Sequence, residues 1–184
     1  MELLLKQVRA DAVEKRLPEL FARIRSLRAL AECPANEIEK LLGPLGLQRQ
    51  RAEQLSGAAR VLVERHAGAV PGSLGELRRI PGIGEYVAHA LMVFGFATRL
   101  PAIDVNGMRV VSRLMGVRAP TDLRRAKRVW AGAWELIPPG PRNTKRFNWA
   151  VLDLAAAICR PAPCCEDCPL RQDCRSAASS TPTR

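Results

Sequence analysis

The stretch Leu77-Arg78-Arg79-Ile80-Pro81-Gly82-Ile83-Gly84-Glu85-Tyr86-Val87-Ala88-His89-Ala90 sets two glycines around one apolar residue and runs directly into a helical pattern. Glycines there let the chain turn tightly. They also let the backbone N–H groups of Gly82, Ile83 and Gly84 approach a phosphate, with the positive end of the next helix behind them. The segment therefore reads as a hairpin between two helices, built to meet an anion.

Outward from the hairpin, apolar residues recur at 3- or 4-residue steps: Val13, Leu17, Leu20, Phe21 and Ile24, then Ile38, Leu41 and Leu42, then Leu55, Ala59, Leu62 and Val63. No strand alternation interrupts them. Breaks at Cys33-Pro34, Gly43-Pro44 and Val70-Pro71-Gly72 leave short loops, so residues 1–98 predict a compact helical bundle with the run Val87–Phe96 at its buried centre. Residues 121–137 and 143–158 predict two more helices on either side of Pro138-Pro139-Gly140-Pro141. Residues 175–184 lack periodicity and predict a frayed tail. The fold class is all-α.

The 184 residues carry 29 Lys plus Arg against 18 Asp plus Glu, a formal net charge of +11. Only five of those cations are Lys, and guanidinium grips phosphate bidentately, so a nucleic-acid backbone is the first partner to consider. Aromatic residues make up 4%, too few for a protein that reads single strands by stacking many bases, and duplex binding fits better. No apolar run approaches the roughly 18 to 20 residues of a membrane span. The expectation is a cytosolic monomer without a membrane segment, nucleoid-associated in a bacterium or archaeon.

The apolar-Pro-Gly-apolar-Gly string in this setting resembles the helix-hairpin-helix of the DNA glycosylase superfamily that includes endonuclease III and the adenine and thymine mismatch glycosylases, with the Mig type nearest. The stretch Pro101-Ala102-Ile103-Asp104-Val105-Asn106-Gly107-Met108-Arg109-Val110 is similar to the segment holding that family's catalytic aspartate. The resemblance implies a two-lobed fold, a helical barrel with the hairpin over 1–98 and an iron-sulfur lobe over 99–174, with Asp104 catalytic in a cleft between the lobes and Arg109 in the DNA-binding set. A carboxylate has a use there, because breaking an N-glycosidic bond develops positive charge on the sugar. Asp is equally a common helix cap, and one residue can do both.

Endonuclease III-like members attack the sugar with a lysine in the hairpin helix. Tyr86, the only tyrosine, stands at that position here, and no lysine occurs between Lys40 and Lys127. A neutral phenol cannot form the imine that strand cleavage requires, so the chain reads as a monofunctional glycosylase with Tyr86 in its catalytic set.

Five of six cysteines fall between Cys159 and Cys174, a density that in a cytosolic setting points to metal. Cys159, Cys165, Cys168 and Cys174 give C-x5-C-x2-C-x5-C, one residue short in the first gap of the family's four-iron pattern. The resemblance implies a [4Fe-4S] cluster on those four, with Cys164 the alternative to Cys165.

Glu2-Leu3-Leu4-Leu5-Lys6-Gln7 resembles the family's helix in which a Glu lines the base pocket and a Gln wedges into the duplex, which makes Glu2 a candidate acid and Gln7 a candidate wedge. Family members carry a further N-terminal segment, so either the start is assigned too late or an upstream piece is absent. Gly46-Leu47-Gln48-Arg49 is similar to a Mig-type loop whose apolar residue, here Leu47, fills the space beside the orphan base. The implied substrate is thymine or uracil opposite guanine in duplex DNA. The rivals are an adenine glycosylase acting opposite guanine or its oxidised form, and a helix-hairpin-helix DNA-binding module that has lost catalysis.

Overall fold

The computed structural model describes Leu4 and residues 10–118 and 126–178. Among the described residues every regular element is helical and no strand occurs, as the apolar spacing predicts. In chain order the helices are α1 (Ala10–Arg23), α2 (Leu27–Glu32), α3 (Ala35–Leu42), α4 (Gln48–His66), α5 (Leu74–Leu77), α6 (Glu85–Ala90), α7 (Val105–Met115), α8 (Lys127–Leu136), α9 (Pro141–Ala157) and α10 (Arg175–Ala178). Packing divides the chain into two compact units between Ala88 and His89. No helix of the described residues is long and apolar enough to cross a membrane.

In the first unit α2 and α3 pack on α4, and α1 on α3. Val13, Leu20 and Ile24 of α1 and its exit meet Ile38 and Leu42 of α3, Ala52 of α4 and Leu4 in one apolar cluster. Cys33 packs at its edge, where burial and the nearby Glu37 push its thiol up, so at neutral pH it behaves as a small apolar residue.

In the second unit α7 is central, with α8, α9 and α10 packed against it. Ile103, Met108, Val111, Val129, Ala133, Val151 and Ala155 form its core. Glycine stands at two of its contacts. A β-carbon at Gly107 would sit 2.9 Å from Cβ of Ile103 and 3.3 Å from Val151 of α9, and one at Gly132 of α8 would overlap Sδ of Met115.

Three sequence expectations shift. The apolar run Val87–Phe96 is not buried throughout: α6 widens into a π-type turn over Leu91–Gly95, where the Phe96 N–H reaches the Leu91 carbonyl at 3.3 Å. The chain then turns at Ala97 in the left-handed region, and Phe96 is left 43% exposed. Helix α9 begins at Pro141, two residues earlier than expected, because a proline at the first helical position lacks only an N–H the helix would not use. Residues 175–178 form the helical turn α10 instead of the start of a frayed tail. The side chain of Arg175 lies on Gly116 and donates to the Met115 carbonyl at 3.4 Å, which ties the turn to the end of α7. The remainder of that tail, 179–184, lies outside the described residues, as do residues 121–125 of the expected helix before Leu136.

The overlap at Gly132 yields a stability prediction. Gly132→Ala is expected to push the end of Met115 aside, an overpacking cost of about 1–3 kcal/mol set against about 1 kcal/mol of helix propensity gained by alanine. In a Met115→Ala background the same change should cost less, because the obstructing sulfur is gone. Denaturant unfolding of the four proteins of this cycle measures the coupling, and additive losses would contradict the contact.

Candidate active site

The hairpin takes its shape from three local devices. Ser73 caps α5, its Oγ accepting from the Glu76 N–H at 3.3 Å and donating to the Glu76 carboxylate at 2.7 Å. Ile80-Pro81-Gly82-Ile83 then closes a turn in which the Ile83 N–H donates to the Ile80 carbonyl at 3.1 Å. Pro81 stands at the second position and Gly82 at the third with φ +80°, the arrangement of a type II turn. Finally Arg78 pairs with Glu85 at 2.5 Å, joining the exit of α5 to the first residue of α6. A β-carbon at Gly84 would meet nothing within 4 Å, so the face above Ile83 and Gly84 is open to an approaching group. Tyr86 follows on the first turn of α6, half-buried.

Asp104 is the N-cap of α7. One carboxylate oxygen accepts from the backbone N–H groups of Asn106 at 3.0 Å and Gly107 at 2.8 Å, and the other accepts from Asn106 Nδ2 at 2.8 Å. Both oxygens are thereby oriented, and the cap that the sequence offered as the plainer reading is present. Asn106 is held in turn by Arg109, whose Nη1 donates to Asn106 Oδ1 at 2.9 Å. The same guanidinium reaches the end of α9, with Nε on the Cys159 carbonyl at 2.8 Å and Nη2 on the Ala155 carbonyl at 3.2 Å. The spacing Asp-x-Asn-x-x-Arg thus links a carboxylate to the first cysteine of the run through two side chains.

Sequence reading missed the residues that hold the chain entering Asp104. Asn148, fully buried on α9, accepts from the Ala102 N–H at 2.6 Å and donates to the carbonyls of Leu100 at 3.0 Å and Thr144 at 2.9 Å. His89, unassigned from the sequence, is buried too, with Nδ1 donating to the Pro101 carbonyl at 2.6 Å and its ring edge-on to Trp130. The extended segment 100–102 has no helix to satisfy its backbone, and these two side chains supply the partners. The only sequence signal was an Asn in the middle of an apolar helical pattern.

Cys159, Cys165, Cys168 and Cys174 line a cavity of about 200 Å³, together with Arg113, Ile158 and Arg171. Cys164 does not line it; its sulfur accepts from Arg160 Nη2 at 3.2 Å instead. Among the described residues no three Cys, His, Asp or Glu side chains converge closely enough for one metal ion. The four thiols line one shared space, and as soft ligands they suit an iron-sulfur group or zinc. Arg113 fastens the loop to α7, donating to the carbonyls of Arg160 at 2.6 Å and Pro161 at 2.9 Å and to the Cys159 sulfur at 3.5 Å.

Leu47 precedes α4 in the left-handed region, φ +50°, and is 48% exposed beside an open depression shared with Gln48, Arg49, Gln50 and Glu53. A leucine in that conformation costs about 1–2 kcal/mol, and strain of this kind concentrates at functional positions. Glu2 and Gln7 lie outside the described residues.

Residues 1–139 match the model of the HhH-GPD superfamily base excision DNA repair protein family. The chain is 32% identical over 173 residues, 93% of its own length and 78% of the relative's, to the thymine-DNA glycosylase of Aeropyrum pernix. It is 32% identical over 174 residues, 94% and 78% of the two lengths, to the thymine/uracil-DNA glycosylase of Methanothermobacter thermautotrophicus. A solved structure of a thermostable thymine-DNA glycosylase superposes with a TM-score of 0.88 at 31% identity, over 97% of this chain and 82% of that one. With residues 1–139 matched and the helical architecture shared, the chain belongs to the HhH-GPD superfamily of base excision DNA repair proteins.

Proposed function

We propose that the chain is a monofunctional DNA glycosylase that acts as a monomer on duplex DNA and hydrolyses the N-glycosidic bond of thymine or uracil opposite guanine. The observation that carries this reading is the Asp104 carboxylate, with both oxygens oriented at the head of α7. The target base leaves the stack at a cost of about a few kcal/mol, least at a mismatch. As its bond to the sugar breaks, positive charge grows on the sugar and the fixed carboxylate stabilises it or orients the attacking water. Water adds to the sugar carbon, the base departs with the bonding electrons and a proton, and an abasic site remains.

Tyr86 supports hydrolysis without strand cleavage, because a phenol offers no amine for an imine and no lysine lies between Lys40 and Lys127. The open turn at Gly82, Ile83 and Gly84 suits a DNA phosphate. Leu47, exposed and left-handed, suits the space beside the orphan base, with Gln7 as the wedge and Glu2 as an acid at the pocket. The thymine and thymine/uracil glycosylases among the relatives support the choice of base.

We further infer that Cys159, Cys165, Cys168 and Cys174 would hold a [4Fe-4S] cluster, which their shared cavity fits. Bound there, the group would supply structural order to a loop whose Arg160 and Arg171 stand at the exposed surface, where phosphates can reach them.

Single-turnover assays on duplexes with T, U or A opposite G test the activity. Product from T·G and U·G only after alkali is expected; product from A·G alone, or nicking without alkali that depends on Asp104, would overturn the reading. Asp104→Asn should keep its cap, since Asn is as good an N-cap, yet lower the excision rate by about 10²–10³-fold while duplex binding survives. Cys165→Ala should lose iron content and visible absorbance, and Cys164→Ala should keep both. Zinc in the purified protein, or the opposite pattern in the two variants, would reject the assigned ligand set.

A further inference from the structure

Arg51 is a cation with almost no exposed surface, at 3%. Burial lowers its pKa from the ordinary arginine value, so its position in α4 carries a cost that some gain must offset. Two of its side-chain hydrogen bonds go to backbone carbonyls of two separate chain segments. Nε donates to the Gly46 carbonyl at 2.8 Å, and Nη1 donates to the Leu4 carbonyl at 2.6 Å, 47 residues away in sequence. The Arg51 backbone N–H also donates to the Leu47 carbonyl at 2.9 Å.

The Gly46 carbonyl belongs to the peptide plane that joins Gly46 to Leu47. Holding that oxygen fixes the orientation of the plane, and with it the φ of Leu47. Gly46 and Leu47 are consecutive positive-φ residues, at +67° and +50°, of which Leu47 is in the left-handed helical region, and Leu47 would leave that conformation for an ordinary one if the plane were released. The planar guanidinium suits the task because its Nε and Nη1 point in fixed, divergent directions, so one group spans both carbonyls; an ammonium has no such fork.

We propose that Arg51 is a positioning residue for mismatch recognition, locking the Leu47 turn to the chain at Leu4 so that Leu47 is displayed outward before DNA arrives. The proposal rests on the reading of Leu47 as the residue that enters the duplex. It assigns to a buried side chain an effect on base extrusion and none on phosphate contact.

The test is a double-mutant cycle with Arg51→Gln and Leu47→Ala, each variant checked for helicity by circular dichroism. Excision from T·G is measured in single turnover, extrusion by the fluorescence of 2-aminopurine beside the mismatch, and affinity on a fully paired duplex. Arg51→Gln and Leu47→Ala should each lower excision and extrusion by about tenfold, the double variant should be no slower than either, and paired-duplex affinity should not change. Additive losses, or an equal loss of paired-duplex affinity with Arg51→Gln, would overturn the Arg51 assignment while leaving Leu47 in its role. A Leu47→Ala protein with unchanged extrusion would instead remove the reading of Leu47 on which the assignment stands. If Arg51→Gln does not fold, Arg51→Lys enters the same cycle, where a smaller but equally non-additive loss is expected and an additive one is disproof.

Discussion

The guanidinium of Arg109 is the point on which the second unit turns. Its three donors meet Asn106 at the start of α7 and the carbonyls of Ala155 and Cys159 at the end of α9. The last carbonyls of a helix have no partners within it, so a fork from a neighbouring helix satisfies them and sets where the chain goes next. The cysteine loop leads on from α9, and Asp104 caps the helix in which Asn106 and Arg109 lie. One side chain therefore fixes a carboxylate and a thiol in register. Gly107 completes the arrangement by letting α7 lie close enough to α9 for that reach.

Much of this was legible in the sequence because it rests on local rules. Helix positions followed from apolar spacing, the hairpin from a proline and two glycines, and the cysteine run from its density. The Asp-x-Asn-x-x-Arg spacing located the network without revealing its direction: the resemblance sets Arg109 in the DNA-binding set, and its guanidinium donates to Asn106 and to the carbonyls of Ala155 and Cys159. Asn148, Arg51 and His89 escaped for a shared reason. Each is a buried polar group with at least one partner 12 to 48 residues away in sequence, and no periodicity records such a pairing. The π-type turn at Leu91–Gly95 escaped too, because its widened hydrogen bonding leaves the apolar pattern of a helix unchanged.

The excess of arginine takes on a second meaning. Arg51, Arg99, Arg109, Arg113 and Arg175 all donate to backbone carbonyls of their own chain, Arg99 to that of Ile137 at 2.6 Å. The helix ends and the segments between helices have carbonyls that no helix satisfies, and a planar fork reaches them better than an ammonium. Net charge of +11 thus overstates the cations free to meet a phosphate. The preference for arginine over lysine is as much architecture as recognition.

Leu47 stands in a conformation that the free protein already bears the cost of holding. A loop that ordered itself only on contact would have to find its shape anew at each base step, and the search along DNA would wait on that loop. On the role proposed for Leu47, a side chain already turned outward would ask one mechanical question of each base step, whether the stack yields, with no loop to order first.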